Sequence, residues 1–126
     1  MSTSRLSDYL DHMHRAAADA CSFVQGMNEA RFIEDKRTQQ AVIMSLVIIG
    51  EAATRVMDDH PEIIQAHPEV PWRAMRGMRN RIAHGYFDIN LQVVWQTVQA
   101  ALPALQTQLA AVRRGAASAE DRAEGA

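Results

Sequence analysis

The stretch Ala41-Val42-Ile43-Met44-Ser45-Leu46-Val47-Ile48-Ile49 decides the fold, because it is apolar almost all the way round a helix. A single neighbouring helix cannot cover such a segment. The stretch therefore predicts either the central helix of a bundle or a helix with one side covered by a second copy of the chain. The helix is expected to run from about Asp35 to Asp59 and to end before Pro61, which cannot continue it.

Three further long helices are expected around this segment. Apolar residues recur at three- and four-residue steps over residues 6–24, and Gly26 ends that pattern. Pro71 suits the first position of a third long helix, where its missing N–H is not needed. Residues 91–112 carry the apolar stripe of a fourth, which Pro103 is expected to kink.

The parts between these helices are predicted to be connections. Residues 28–32 suggest a short turn of helix, and residues 59–70 a connector with at most one helical turn. Asp88 or Asn90 is expected to cap the last helix. No run of residues alternates as a strand does. The predicted fold class is therefore all-α, an up-and-down bundle of four to five helices.

Length and composition indicate one folded domain. The chain has 126 residues and a hydrophobic content of 48%, enough for a buried core. The helical pattern is expected to extend over residues 1–114. Residues 115–126 lose the periodicity and are predicted to form a disordered, solvated tail without chemistry.

The same features predict a cytoplasmic protein. Cys21 is the single cysteine, so a disulfide framework within one chain is impossible, which fits a reducing compartment. The N-terminus is polar and contains acids, unlike a signal peptide. The longest apolar run, residues 41–50, falls short of the roughly 20 residues that a membrane-spanning helix needs. No membrane partner is therefore expected.

A cationic segment precedes the last helix. It ends in Arg79-Asn80-Arg81-Ile82-Ala83-His84-Gly85-Tyr86, and no acidic residue lies between Glu69 and Asp88. The net charge of the chain is −2, so this is a local positive patch. Guanidinium groups bind phosphate through two oxygens at once. Four arginines make up the patch: Arg73, Arg76, Arg79 and Arg81.

His84 is predicted to lie in the last turn of the third long helix, with Gly85 in the left-handed conformation just past its end. A helix C-terminus favours imidazolium, which biases the ring toward donating a proton. Asn80 lies one turn earlier on the same side, where its amide could orient the imidazole. Tyr86 follows Arg79 by seven residues and would come back near it if the chain stayed helical.

This segment resembles the signature of the HEPN superfamily, and in particular of the HepT toxin family, the DUF86 proteins. The matching pattern is Arg, a polar residue, three more residues, His, any residue, then Tyr. Four other segments agree with the family in order, so the resemblance covers roughly residues 4–112. They are residues 5–10, Ile49-Gly50-Glu51-Ala52, Pro71-Trp72, and Phe87-Asp88-Ile89 with Trp95.

The resemblance implies a HEPN-type bundle that forms a homodimer and cleaves RNA without a metal or cofactor. Arg79, Asn80 and His84 would be catalytic in such a toxin. The other three arginines, Arg73, Arg76 and Arg81, would bind RNA phosphates. One histidine cannot comfortably be both base and acid, but two-fold pairing brings two copies of the motif near one axis. Transfer RNA and messenger RNA are both open as substrates.

Tyr86 has a separate role by resemblance. HepT toxins are encoded with a minimal nucleotidyltransferase antitoxin, MNT, which transfers AMP from ATP onto the tyrosine of the motif. An added phosphodiester and base would occupy the cationic pocket otherwise used for RNA. The residue-level alternative is a tyrosine that packs at the helix end, and the two roles are compatible.

Competing interpretations remain. The chain could be a non-catalytic helical module that binds nucleotide or forms a complex with a nucleotidyltransferase, with the arginines serving as an anion site. DNA binding is weaker, because no turn-and-recognition-helix pattern is present. No His, Cys or carboxylate spacing resembles a zinc site. Glu51 is expected to make a buried structural contact with the backbone or an arginine rather than to act in catalysis.

Overall fold

The computed structural model describes the backbone of residues 2–125 and the side chains of residues 5–116. Within this part the chain is helical and contains no strand, which confirms the all-α prediction. A 3₁₀ turn spans Tyr86–Asp88 and a π-helical segment spans Thr97–Ala101. The α-helices are α1 (Ser2–Phe23), α2 (Glu29–Glu34), α3 (Lys36–Asp59), α4 (Pro61–Ala66), α5 (Trp72–His84), α6 (Leu91–Gln96) and α7 (Leu102–Gly125).

Helix α3 is the centre of the bundle. It packs against α1 on one side and α5 on another, and α1 also packs against α7. The predicted central helix is therefore confirmed, and its apolar stretch contributes Val42, Ile43, Leu46 and Ile49 to the core. Large side chains that are almost fully buried come from five helices and the π-helical segment: Leu10, Met13, Phe32, Val42, Ile49, Val56, Val94, Val98, Leu105, Leu109 and Val112.

Polar side chains start three of the helices. The Asp35 carboxylate accepts the backbone N–H of Thr38 at 3.0 Å, and this hydrogen bond lowers the pKa of Asp35. Asn28 caps α2 by accepting the N–H of Arg31 at 2.9 Å. Asn90 caps α6, as predicted, by accepting two backbone N–H groups. Each cap satisfies donors that the first helical turn leaves without a partner.

Helices α3 and α5 approach each other closely at Gly50. This glycine is buried, and a Cβ built on it would overlap the Cβ of Arg79 and lie 2.8 Å from the Met75 carbonyl oxygen. Only a residue without a side chain lets the two backbones come this near. Gly50 therefore sets the distance between α3 and the helix that carries the cationic segment.

The end of α5 differs from the prediction. Gly85 is not left-handed, since its φ is −134°, and the left-handed glycine is Gly26 with φ of +78°. The Gly85 N–H instead bonds the Arg81 carbonyl at 2.9 Å, and the Asp88 N–H bonds the Gly85 carbonyl at 2.8 Å. A 3₁₀ turn thus closes the helix, so no left-handed residue is needed there.

The last long helix carries its irregularity as a π-helical segment just before Pro103. Proline has no N–H and its ring clashes with the carbonyl four residues earlier, which is that of Gln99. The chain widens to accommodate this, and the N–H of Leu102 bonds the Thr97 carbonyl five residues back. A kink was predicted at Pro103, and the structure shows a π-helical segment at that place.

Two predictions about the connections differ from the structure. The connector after α3 holds α4, a helix of six residues rather than at most one helical turn, and His60 before it is buried. The predicted tail, residues 115–126, is helical as far as Gly125. Alanine, glutamate and arginine favour helix without an apolar stripe, so loss of periodicity did not end the helix.

By length and composition α3 would also suit a membrane span. Its best window has a mean hydropathy of 1.4, and half of that window is buried inside the bundle. No other helix in the described part passes the same test. A core helix of a bundle has these properties as well, which is the role that α3 has here.

The close approach at Gly50 leads to a stability prediction. Gly50→Ala is expected to lower the free energy of unfolding by about 1–3 kcal/mol, because the added methyl overpacks the contact with α5.

Gly77→Ala is the matched control on α5. Its new Cβ would lie 3.5 Å from the nearest atom, the Arg81 Nη1. That variant should gain about 0.5–1 kcal/mol from helix propensity. The midpoints of urea unfolding, measured at equal protein concentration, report both changes in the free energy of unfolding. If the two variants shifted that free energy in the same direction, the close approach at Gly50 would be contradicted.

Candidate functional site

Arg79 lies in the row of α5 that faces the core. Trp72, Met75, Arg79 and Ile82 follow one another at three- and four-residue steps, which places them on one side of the helix. Trp72 and Ile82 are buried, and Met75 packs against the core. A guanidinium therefore occupies a position where an apolar side chain would be the stabilising choice.

The Arg79 side chain turns toward α3 and meets two polar groups there. Its Nε lies 3.2 Å from the Glu51 Oε1, and its Nη2 donates a hydrogen bond to the Thr54 Oγ1 at 3.1 Å. Thr54 in turn donates to the Gly50 carbonyl at 2.8 Å. The Nε atom is buried and has no acceptor in line with its N–H, so its contact with Glu51 is an ion pair without a directed hydrogen bond. The predicted contact between Glu51 and an arginine is confirmed, but the prediction that Glu51 is buried is wrong, since its side chain is 52% exposed.

These contacts contribute little to stability. The Glu51 side chain is 52% exposed and that of Arg79 is 23% exposed. An ion pair this open to water typically stabilises by about 0–1 kcal/mol. Replacing such polar groups by packed apolar residues is often neutral or stabilising. The arrangement is therefore better explained by what Arg79 can bind than by what it adds to the fold.

A second set of motif residues lies on the exposed side of α5. Arg73, Asn80 and His84 are all exposed and fall within about 40° of one another around an ideal helix. Arg76 is half-buried and borders this side. The predicted hydrogen bond from Asn80 to His84 is not formed between the described side chains of this single chain. The amide and the imidazole thus share a side of the helix and both face water.

Arg79 and His84 are separated within one chain. The helix is regular to His84, so the two side chains leave it about 140° apart. Arg81 lies on yet another flank, with its Nη2 4.0 Å from the Met78 sulfur. One chain therefore presents the guanidinium of Arg79 and the imidazole of His84 in different directions.

Tyr86 does not continue the helix. It lies in the 3₁₀ turn after His84, so the seven-residue register that would bring it back over Arg79 is lost. Its ring is 50% exposed and contacts the ring of Phe87 edge-on at 5.7 Å. Phe87 is 97% exposed. The tyrosine hydroxyl therefore belongs to an exposed aromatic corner beside His84.

Two cavities adjoin α5 on the Arg81 flank. One of about 210 Å³ lies between α3, α5 and the π-helical segment, and is lined mainly by apolar side chains. Met75 and Met78, which the sequence placed beside the arginines, line it together with Arg81. A second of about 230 Å³ lies where α5 passes into α6. Arg81 lines both cavities, whereas His84 and Arg79 line neither.

The described part of the chain contains neither a cluster of metal-ligating side chains nor an activated thiol. Residues that the structure describes contain no group of three His, Cys, Asp or Glu side chains able to hold a metal ion. Burial raises the pKa of the Cys21 thiol, which disfavours the nucleophilic thiolate. The chemical groups available at the site are guanidinium, imidazole, amide and phenol.

Sequence reasoning identified Arg79, Asn80, His84 and Glu51 but missed Thr54. A signal was present, because Thr54 follows Glu51 by three residues and so lies on nearly the same side of α3. The sequence could not show which residue of α5 would contact Thr54. That depends on the height at which the two helices meet at Gly50.

Comparison with known proteins assigns the chain to a family. A family model described as "Ribonuclease HepT-like" matches residues 13–112. The chain is 36% identical over 107 residues to "Probable ribonuclease HepT" of Thermococcus cleftensis, covering 85% of this chain and 94% of that protein. It is 39% identical over 93 residues to "Putative RNase MJ0127" of Methanocaldococcus jannaschii, covering 74% and 71%. No solved structure shows a significant match to the chain.

Proposed function

Because this chain belongs to the family of HepT-like ribonucleases, we propose that it is a metal-independent endoribonuclease toxin that works as a homodimer. The observation that carries the proposal is the placement of Arg79. A guanidinium lies in a core-facing row of α5, is held by Glu51 and Thr54, and has an exposed imidazole and amide farther along the same helix. This set suits the binding and cleavage of a phosphodiester.

The proposed chemistry uses the ribose 2′-hydroxyl as the nucleophile. A base removes its proton, the oxygen attacks phosphorus, and the bond from phosphorus to the 5′-oxygen breaks. An acid then protonates the departing 5′-oxygen, which yields a 2′,3′-cyclic phosphate and a 5′-hydroxyl. His84 of one protomer serves as the base and His84 of the other as the acid. Arg79 stabilises the charge that builds up on the phosphorus oxygens, and Asn80 orients His84 or the substrate.

A dimer would solve the separation of these groups within one chain. Two-fold pairing across a shared cleft places the exposed side of one α5 near its counterpart, so that imidazoles and guanidiniums from two chains surround one phosphate. Arg73 and Arg76 border the same exposed side and would bind neighbouring phosphates. Arg81 was expected to share this role, but its position on the cavity flank makes it the weakest of the three.

The exposed apolar stripe of α3 is the surface that we assign to the dimer contact. Met44 is 59% exposed and Ile48 is 40% exposed, one helical turn apart. Glu51, which holds Arg79, follows on the same side. Half of the apolar window of α3 is unburied in one chain, and a second copy would cover it next to the site.

Neutralisation is assigned to Tyr86. The antitoxin of such a pair is a nucleotidyltransferase of the MNT type, whose reaction joins the tyrosine oxygen to the α-phosphorus of ATP and releases pyrophosphate. The Tyr86 ring is 50% exposed on a turn directly after α5, where an enzyme can reach it. The attached AMP would place a negative charge and a base beside the cationic side of α5.

The catalytic assignment predicts that His84→Ala and Arg79→Ala each slow RNA cleavage roughly 100-fold or more. The purified dimer should cut an RNA oligonucleotide in the presence of EDTA and leave cyclic phosphate ends, which mass spectrometry identifies. His12→Ala removes another exposed histidine, on α1, and serves as the control. Undiminished cleavage by His84→Ala would refute the assignment. Binding of RNA by wild type without any cleavage would favour the non-catalytic interaction module instead.

The dimer assignment predicts that Met44→Asp with Ile48→Asp gives a monomer. Two carboxylates cannot be buried against their own copies without a large desolvation penalty, so the contact should fail. Light scattering after size exclusion measures the mass, and RNA cleavage should be lost together with the dimer. Ile33→Asp is the control, since Ile33 on α2 is also 40% exposed. A double variant that stays dimeric and active would exclude this surface.

The neutralisation assignment predicts one AMP on Tyr86 after incubation with the cognate transferase and ATP. The chain has two tyrosines, so Tyr86→Phe leaves only Tyr9 as an acceptor. Mass spectrometry of wild type should locate the AMP on Tyr86, and the variant should gain none. Modified wild type should no longer cut RNA. Modification confined to any other residue would remove this role from Tyr86.

A further inference from the structure

Thr54 is oriented so that it can only accept a hydrogen bond from Arg79. A hydroxyl has one proton to donate and two lone pairs to accept with. The proton of Thr54 goes to the Gly50 carbonyl at 2.8 Å, one turn earlier in α3. The oxygen therefore points a lone pair at the Nη2 of Arg79, 3.1 Å away.

The guanidinium is held at two of its three nitrogens. Glu51 lies beside Nε and Thr54 accepts from Nη2. Nη1 makes no hydrogen bond with any side chain that the structure describes. Because guanidinium is planar, contacts at two nitrogens fix the plane and leave the remaining N–H groups to meet a ligand.

The two anchors differ in strength and in sensitivity to salt. Glu51 is half exposed, so its attraction to Arg79 is screened by water and ions. Thr54 is neutral, half-buried, and already fixed by its bond to the backbone. The direction of the guanidinium thus depends mainly on the threonine, and the carboxylate adds attraction that weakens with salt.

We propose that Thr54 is a positioning residue, which holds the Arg79 guanidinium in the orientation needed to bind the phosphate at the scissile bond. Glu51 is the second anchor of the same group. The inference rests on the proposed function, in which Arg79 stabilises the charge of the reacting phosphate. Thr54 itself touches no substrate and acts through Arg79 alone.

Cleavage kinetics of Thr54→Val test this role. Valine keeps the shape of threonine and removes the acceptor, so kcat of the purified dimer on a single-stranded RNA oligonucleotide should fall on the order of 10- to 100-fold. KM should change much less, because the hold matters most in the transition state. Thr54→Ser restores the acceptor and should recover most of the loss. Thr54→Ala provides the same test without a branched side chain.

Thr97→Val is the matched control. Thr97 also donates to the carbonyl four residues back, that of Val93 at 2.8 Å, but hydrogen-bonds no arginine. This variant loses the same kind of local hydrogen bond and should cleave RNA as wild type does. Equal kcat for wild type, Thr54→Val and Thr97→Val would overturn the positioning role.

A double variant tests whether Thr54 acts through Arg79. In an Arg79→Lys background the planar fork is absent, so Thr54→Val should cause no further loss in single-turnover cleavage with excess enzyme. An undiminished further loss would mean that Thr54 supports activity by another route, and the inference would fail.

Rotation of the Arg79 Nη2 group about its bond to Cζ provides a readout that does not depend on cleavage, because Thr54 accepts a hydrogen bond from this group. The NMR signals of the Arg79 Nη groups, identified by their disappearance in Arg79→Lys, should show faster rotation in Thr54→Val than in wild type or Thr97→Val. An unchanged rotation rate would mean that Thr54 does not hold the guanidinium and would overturn the inference. If Thr54 holds Arg79 in the wild-type protein but the protein cuts no RNA, the proposed function is refuted while the contact stands. Failure of the inference can thus be distinguished from failure of the proposed function.

Discussion

The close approach of α3 and α5 at Gly50 is the contact on which the rest of the site depends. Because Gly50 has no side chain, the backbone of α5 comes near enough for the Arg79 Cβ to lie directly over it. The arginine side chain then runs along α3 for about one turn, where Glu51 and Thr54 lie at the right height. A larger residue at position 50 would lift α5 and move the guanidinium away from both partners.

The close approach places the charged side chain of Arg79 on the core-facing side of α5, where packing alone would favour an apolar residue. A partly buried guanidinium on the same side of α5 as Trp72 and Ile82 does not help the fold unless partners compensate it. The exposed Glu51 compensates only in part. Functional sites are where such local conflicts are expected, since a group that must bind a ligand cannot also be fully satisfied within the protein.

Within one chain, therefore, Arg79 is held in place but is separated from Asn80 and His84. Arg79 is anchored against α3, whereas Asn80 and His84 face water about a third of a turn away around α5. The exposed apolar residues Met44 and Ile48 lie on the same side of α3 as Glu51, the ion-pair partner of Arg79. The proposed homodimer would cover these residues and would bring Asn80 and His84 of two chains to one cleft.

Much of the fold followed from sequence because it depends on local rules. Apolar periodicity determined the four long helices, Asp35 and Asn90 determined where two of them begin, and Pro103 determined where the last one is disturbed. Gly85 shows the limit of such rules. Several turn geometries end a helix equally well, and the chain adopts a 3₁₀ turn that needs no left-handed residue.

The sequence by itself determined the all-α class and the central helix and supplied the candidate residues for phosphate chemistry, because periodicity and side-chain type are properties of the chain. Only the tertiary structure decided that Arg79 meets Glu51 and Thr54 while His84 points elsewhere. Those relations depend on how closely two helices pack and at what height they cross. Both follow from the summed fit of side chains distant in sequence, which no local pattern records.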